Sequence, residues 1–85
     1  MPKISEFYGI IISMNSSDHP PPHFHVRYGG RKATMSIRTG QILDGELPTR
    51  AFRLAHEWWE LRQRELEENW ARYENRLPLL PIAPL

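Results

Sequence analysis

Cysteine is absent from this chain of 85 residues. The absence excludes a disulfide framework, a thiol nucleophile and any cysteine-ligated zinc or iron–sulfur site. No apolar stretch approaches the ~20 residues that a membrane-spanning helix needs, and residues 1–15 lack the basic start and cleavage pattern of a signal peptide. We therefore expect a cytoplasmic protein that is neither exported nor inserted into a membrane.

The length leaves room for one small domain, because a second domain would need a second hydrophobic core. Hydrophobic residues make up 40% of the chain and charged residues 25%, with three Trp, three Tyr and three Phe. This composition is typical of a folded globular protein and not of a disordered one. We expect residues 1–85 to form a single domain.

The first half of the chain has the pattern of β-strands. Residues 4–14 are rich in β-branched and aromatic side chains, which predicts one strand over about 3–14. Phe7 and Ile11 would lie on one face of that strand, and Tyr8, Ile10 and Ile12 on the other. The polar and proline-rich residues 15–22 then predict a stiff connecting loop.

Two further strands are predicted over 23–28 and 31–38, joined by a tight turn at Gly29-Gly30. Apolar and polar side chains alternate in both, and a two-residue turn sets Phe24 opposite Met35 and Val26 opposite Ala33. The polar face then pairs His23 with Ser36, His25 with Thr34, and Arg27 with Lys32. A turn at Thr39-Gly40 leads into a short strand at 41–43 that pairs Ile42 with Ile37.

From Pro48 to about Asn75 there is no further proline and no glycine, which predicts one long helix over 48–75. The expected fold class is therefore α+β: a small antiparallel sheet of three to four strands over 3–43, covered on one face by this helix. We expect a core of Phe24, Val26, Met35, Ile37, Leu54 and Trp58.

The end of the chain, residues 77–85, contains three prolines among apolar residues and predicts an extended tail. The second half of the helix and this tail carry more apolar side chains than so small a sheet is expected to cover, and a large exposed apolar patch normally marks an interface. We therefore expect another subunit, either a cognate protein or a second copy of the chain, to bind Leu66, Trp70, Tyr73, Leu77, Leu80 and Ile82.

The formal net charge is only +1, but the charges are unevenly distributed. Residues 23–38 contain four basic side chains and no acidic one, whereas residues 49–76 contain six Arg and six Glu. The middle segment is therefore the place where an anionic partner such as RNA would bind.

The histidines of the third predicted strand have two chemical interpretations. As an acid and base pair, His23 and His25 could cleave RNA without metal while Arg27 stabilises the charge on phosphorus. Substrate would contact Lys32, Thr34, Ser36 and Arg38. Alternatively, His19, His23 and His25 could hold a divalent transition metal, although no fourth ligand is evident. His56, four residues before Glu60, is interpreted as a surface contact of the helix.

Four stretches of the chain resemble a small bacterial family catalogued as domain of unknown function 4160. They are ISEFYGIIISM, DHPPPHFHVRYGG, ATMSIRTGQILDGELPTRA and EWWELRQRELEENW, of which PPHFHV is the most recognisable part. Members of that family are typically encoded beside a second small domain, in an arrangement resembling a toxin–antitoxin pair. The resemblance implies a cognate antitoxin-like partner and a toxin role, but it supplies no mechanism.

Three hypotheses from different classes follow. The chain is the toxin of a two-gene module that acts on RNA, a metal-binding protein, or a non-catalytic interaction module whose histidines are structural.

Overall fold

The computed structural model describes residues 3–14 and 19–85. Five strands precede one helix, and the strands form a single antiparallel sheet in chain order. The predicted α+β class, with a sheet packed against one long C-terminal helix, is confirmed. The strands are β1 (Lys3–Phe7), β2 (Ile10–Ser13), β3 (His23–Tyr28), β4 (Arg31–Ser36) and β5 (Ile42–Gly45), and the helix is α1 (Thr49–Glu74).

The first predicted strand is in fact a hairpin. The chain reverses at Tyr8 and Gly9, whose φ angles are +50° and +80°, so that β1 and β2 pair with Phe7 opposite Ile10. A two-residue turn with both φ angles positive matches the right-handed twist of the flanking strands. Tyr8 therefore lies in an exposed turn and shares no face with Ile10. Residues 15–18 of the predicted loop lie outside the described residues.

The hairpin of β3 and β4 has the predicted register throughout. Phe24 pairs with Met35 and Val26 with Ala33, and these four side chains are buried in the core. The polar partners pair as expected on the opposite face. Alternation and the Gly29-Gly30 turn are sufficient to predict this register, because the two strands are consecutive in the sequence.

The predicted pairing of Ile37 with Ile42 is wrong. Ile42 pairs with Met35, and β5 begins one residue later than expected and extends to Gly45. The backbone of Ile37 has other partners: its N–H donates to the Pro22 carbonyl at 3.0 Å, and its carbonyl accepts from Trp59 Nε1 at 2.6 Å. Ile37 thus ties the end of the hairpin to the helix and is not available to β5.

The helix agrees with its prediction within one residue at each end. It covers the apolar face of the sheet with Ala51, Ala55 and Trp58, and it is interrupted once, at Arg62, whose backbone is not helical. Of the six predicted core residues five are buried, while Leu54 is half-buried at the margin. Within the described residues, no helix combines the length and the hydrophobicity needed to cross a bilayer.

The tail after the helix is extended and is held by hydrogen bonds along its length. Asn69, which is only 1% exposed, donates to the Leu80 carbonyl at 2.8 Å and accepts from the Leu80 N–H at 2.9 Å. Further along, Ile82 N–H donates to the Ile4 carbonyl at 2.7 Å, and Trp58 Nε1 donates to the Ala83 carbonyl at 2.8 Å. The tail therefore connects the helix to the edge strand β1.

Candidate functional site

The face of the sheet turned away from the core carries the histidines and two cations. The register sets His25 between Ser13 of β2 and Thr34 of β4, while Arg27 lies directly opposite Lys32. Because residues i and i+2 of a strand share a face, His23, His25 and Arg27 project on the same side. We call the surface formed by His23, His25, Arg27, Lys32 and Thr34 the polar sheet face.

The two histidines of this face are in contact with each other. Their ring centroids are 5.3 Å apart in an edge-to-face arrangement, and the His23 ring also lies 5.4 Å from that of Trp70 on the helix. His23 Nδ1 is 2.8 Å from the Pro21 carbonyl oxygen. Since a carbonyl oxygen only accepts, Nδ1 must carry the proton in this contact, and Nε2 is then the acceptor nitrogen of the neutral ring.

Both histidines are half-buried, and His23 lies where the polar sheet face meets the helix. Phe24 and Val26 point into the core on the other side of the strand. The register expected from the sequence therefore holds, and the imidazoles remain partly accessible from solvent. Partial accessibility is the first requirement for any chemistry on an external substrate.

Arg27 and Lys32 are exposed cations on neighbouring strands with no ion pair in the described part of the chain. Like charges directly opposite each other across two strands are destabilising. Arg38, in the turn after β4, is also exposed and forms no ion pair among these residues. Arg27, Lys32 and Arg38 thus carry positive charge that no ion pair among the described residues neutralises.

Ser36 and Thr34 were predicted to contact substrate, and the structure separates them. Thr34 is half-buried on the polar sheet face. Ser36 is buried, and its Oγ accepts the backbone N–H groups of Arg38 and Thr39, each at 3.2 Å. Ser36 therefore stabilises the turn, whereas the Thr34 side chain is partly accessible.

The alternative metal site is not assembled in the described structure. His19 is exposed, and no group of three His, Asp or Glu side chains among residues 3–14 and 19–85 comes close enough to hold an ion. His23 and His25 alone supply two neighbouring imidazoles.

Comparison with known proteins places the sequence in a family. The model of the family described as domain of unknown function (DUF4160) matches residues 9–71, which include β2 to β5 and most of α1. The chain belongs to the DUF4160 family. No curated protein and no solved structure matches it significantly.

The six side chains expected to bind a partner fall into two groups in this DUF4160 protein. Leu66, Trp70 and Ile82 are buried by the chain's own sheet, helix and tail, which corrects the expectation that they form an exposed patch. Tyr73 is half-buried, whereas Leu77 and Leu80 are 52% and 41% exposed. The tail folds back onto the helix and β1, which buries Ile82, while Trp70 packs against His23 of the sheet. The sequence pattern revealed neither contact.

The helix of this DUF4160 protein borders two clefts that no sequence motif indicated. The larger, about 490 Å³, is open and lies beside Phe52 and His56 near the start of the helix. There His56 Nδ1 lies 3.2 Å from Glu60 Oε1, the surface contact that the sequence predicted. The smaller, about 140 Å³, lies beside Trp70 and is lined by Glu67, Ala71 and Glu74. Glu67, Ala71 and Glu74 recur every three to four residues and therefore share one helical stripe. This shared stripe is visible in the sequence, but it does not by itself indicate a cleft.

Proposed function

We propose that this protein binds RNA across the polar sheet face and cleaves it without metal, acting in the cytoplasm as the toxin of a two-gene module. The observation that supports the proposal is the pair of cations, Arg27 opposite Lys32, which forms no ion pair among the described residues and shares a face with two histidines in contact. A phosphodiester over this face would neutralise the repulsion between the cations. Phosphate contacts of this kind supply most of the affinity for a nucleic acid and require no sequence motif.

The histidine geometry fits general acid–base cleavage. We assign His23, whose ring is oriented by the hydrogen bond between Nδ1 and the Pro21 carbonyl, the role of the base that removes the proton from a ribose 2′-hydroxyl. The 2′-oxygen then attacks phosphorus, and the bond to the 5′-oxygen breaks. A protonated His25 gives its proton to that leaving oxygen, which yields a 2′,3′-cyclic phosphate and a 5′-hydroxyl. Arg27 and Lys32 stabilise the additional negative charge on the phosphoryl oxygens.

Binding is tested with a fluorescently labelled single-stranded RNA titrated at several salt concentrations. The double variant R27Q/K32Q should weaken binding and reduce the slope of log K against log salt by about 1.4, since each phosphate contact to a single strand contributes ~0.7. The matched control is R50Q/R53Q, which removes two exposed arginines from the helix. Equal losses in both double variants would show that binding reflects total charge and would contradict the polar sheet face as the site.

Cleavage and toxicity are tested with His23→Ala and His25→Ala. Each should abolish RNA cleavage and relieve growth inhibition in bacterial cells that lack the neighbouring gene. His56→Ala is the control, because His56 lies on the helix with Glu60 and should leave both readouts unchanged. A wild-type protein that does not inhibit growth in such cells would contradict the toxin role, and a fully active His25→Ala variant would remove His25 from the mechanism.

A second candidate is a non-catalytic module that binds a cognate antitoxin-like protein. Leu77 and Leu80 favour it, since both remain exposed at the start of the tail. The double variant L77E/L80E should then abolish co-purification with the product of the neighbouring gene. Retained co-purification would show that the tail is not the contact.

A further inference from the structure

The smaller cleft, of about 140 Å³, is lined by Trp70, whose ring contacts His23 of the polar sheet face. It lies between the second half of the helix and the end of the β3–β4 hairpin. Trp70 and Ala71 form an apolar wall, and Arg38, Glu67 and Glu74 contribute the charged groups. A dry cavity of about 150 Å³ accommodates a benzene ring. The cleft is therefore large enough for a flat six-membered ring, and its open side leaves room for a second fused ring.

The charged groups of the cleft are of both signs and remain separate. Within the described residues, no ion pair joins Arg38 to Glu67 or Glu74, whereas their neighbours Glu68 and Arg72 approach to 3.7 Å. Glu67 and Glu74 lie two helical turns apart, about 10.5 Å along the axis at 1.5 Å per residue. A ligand the size of one base would therefore bond one carboxylate and not both, and Arg38 lines the same cleft.

We propose that this cleft binds a guanine base of the RNA substrate. Guanine carries two adjacent N–H donors on its pairing edge, which a carboxylate accepts side by side, and its O6 and N7 are the acceptors that arginine bonds in pairs. The remaining bases do not combine two adjacent donors with such an acceptor pair. The ring would pack against the apolar lining that Pro22 and Ala71 contribute, beside the largely buried Trp70.

The position of the cleft links base recognition to the proposed chemistry. Trp70 contacts the His23 ring, and His23 contacts His25, with centroid separations of 5.4 and 5.3 Å. A guanosine in the cleft would thus lie one side chain away from His23, because Trp70 lines the cleft and contacts that ring. The inference rests on the proposed function for its biological meaning, since it assigns the cleavage step a preference for guanosine.

Nucleosides test the cleft separately from the polar sheet face because they carry no phosphate. Guanosine, adenosine, cytidine and uridine are titrated into the full-length protein, and the Trp70 indole N–H resonance is followed by NMR. Guanosine should bind at least about tenfold more tightly than the others, as a bidentate contact discriminates between bases. The R27Q/K32Q variant should retain this preference. Equal binding of all four nucleosides, no binding, or a preference for another base would overturn the inference.

Two sets of variants locate the binding. Ala71→Leu fills the cleft with a side chain of similar helix propensity and should abolish guanosine binding, while Gln63→Leu at an exposed helix position outside the cleft should not. Of Glu67→Gln and Glu74→Gln, one should remove the preference for guanosine. Undiminished binding to a folded Ala71→Leu protein would place the base elsewhere and overturn the assignment. RNA binding by the R27Q/K32Q variant, in contrast, tests the proposed function and not the cleft.

Discussion

Asn69 is one of the helix residues that hold the tail, and its replacement tests the tail's contribution to stability. Its side chain is 1% exposed and forms two hydrogen bonds to the backbone of Leu80. Asn69→Ala removes both. At about 0.5–1.5 kcal/mol for each net hydrogen bond, and with Leu80 partly open to water, we expect a loss of about 2 kcal/mol.

This loss is a large part of the total stability, which for a domain of this length is roughly 4–13 kcal/mol at 0.05–0.15 kcal/mol per residue. The melting temperature should fall by about 8–16 °C, since a domain of this size loses roughly 4–8 °C per kcal/mol. Urea denaturation followed by circular dichroism measures the free energy of unfolding. Hydrogen exchange of the Leu80 amide by NMR reports the tail directly and should accelerate in the variant.

Asn75→Ala is the matched control. It is the same substitution at the C-cap of the same helix, but Asn75 is exposed and its side chain donates to the Ala71 carbonyl within the last helical turn. We expect a loss of less than about 1 kcal/mol there. If Asn69→Ala were no more destabilising than Asn75→Ala, and Leu80 exchange were unchanged, the reasoning that Asn69 anchors the tail would be refuted.

Gly40→Ala should destabilise the protein by about 2–4 kcal/mol in urea denaturation, because φ is +72° and the new Cβ would lie 2.6 Å from the Trp59 ring. Gly30→Ala should lower the free energy of unfolding far less, because nothing lies within 4 Å of the new Cβ and φ at Gly30 is not positive. Equal losses in the two variants would contradict the close approach of Trp59. Tyr8→Asn should raise the free energy of unfolding by about 0.5 kcal/mol, since Asn-Gly is favoured in a turn with two positive φ angles; a loss would indicate a packing role for the Tyr8 ring. His25→Ala, which the proposed mechanism predicts to be inactive, should lower the free energy of unfolding by about 1 kcal/mol or less. A larger loss would identify His25 as a structural histidine.

The polar sheet face could be predicted because everything that defines it is local. His23, His25, Arg27 and their partners on β4 lie within one hairpin, so alternation and a two-residue turn fix their register and their common side. The helix was equally determined by its own residues, through the absence of proline and glycine between Pro48 and Asn75. A different hairpin register would need a turn elsewhere than Gly29-Gly30, and a shorter helix would need a proline or glycine within it, and the sequence provides neither.

Other features depended on contacts between segments far apart in the sequence. Ile4–Met14 satisfies the pattern of one strand or of two, and only pairing with β3 selects the hairpin with its turn at Tyr8. The tail gives no sign of its destination, because the partners of Leu80 and Ile82 are a side chain of the helix and a carbonyl of β1. Leu66 and Trp70 are buried in the same core cluster as Ile82 of the tail.

The candidate site divides in the same way. The sequence determined which side chains share the polar sheet face, since strand geometry alone sets their side. Tertiary structure decided that Trp70 contacts His23, that the Pro21 carbonyl fixes the proton on His23 Nδ1, and that Glu67 and Ala71 line a cleft beside them. Such contacts depend on where the helix crosses the sheet, and that position results from packing of the whole core, which no local pattern encodes.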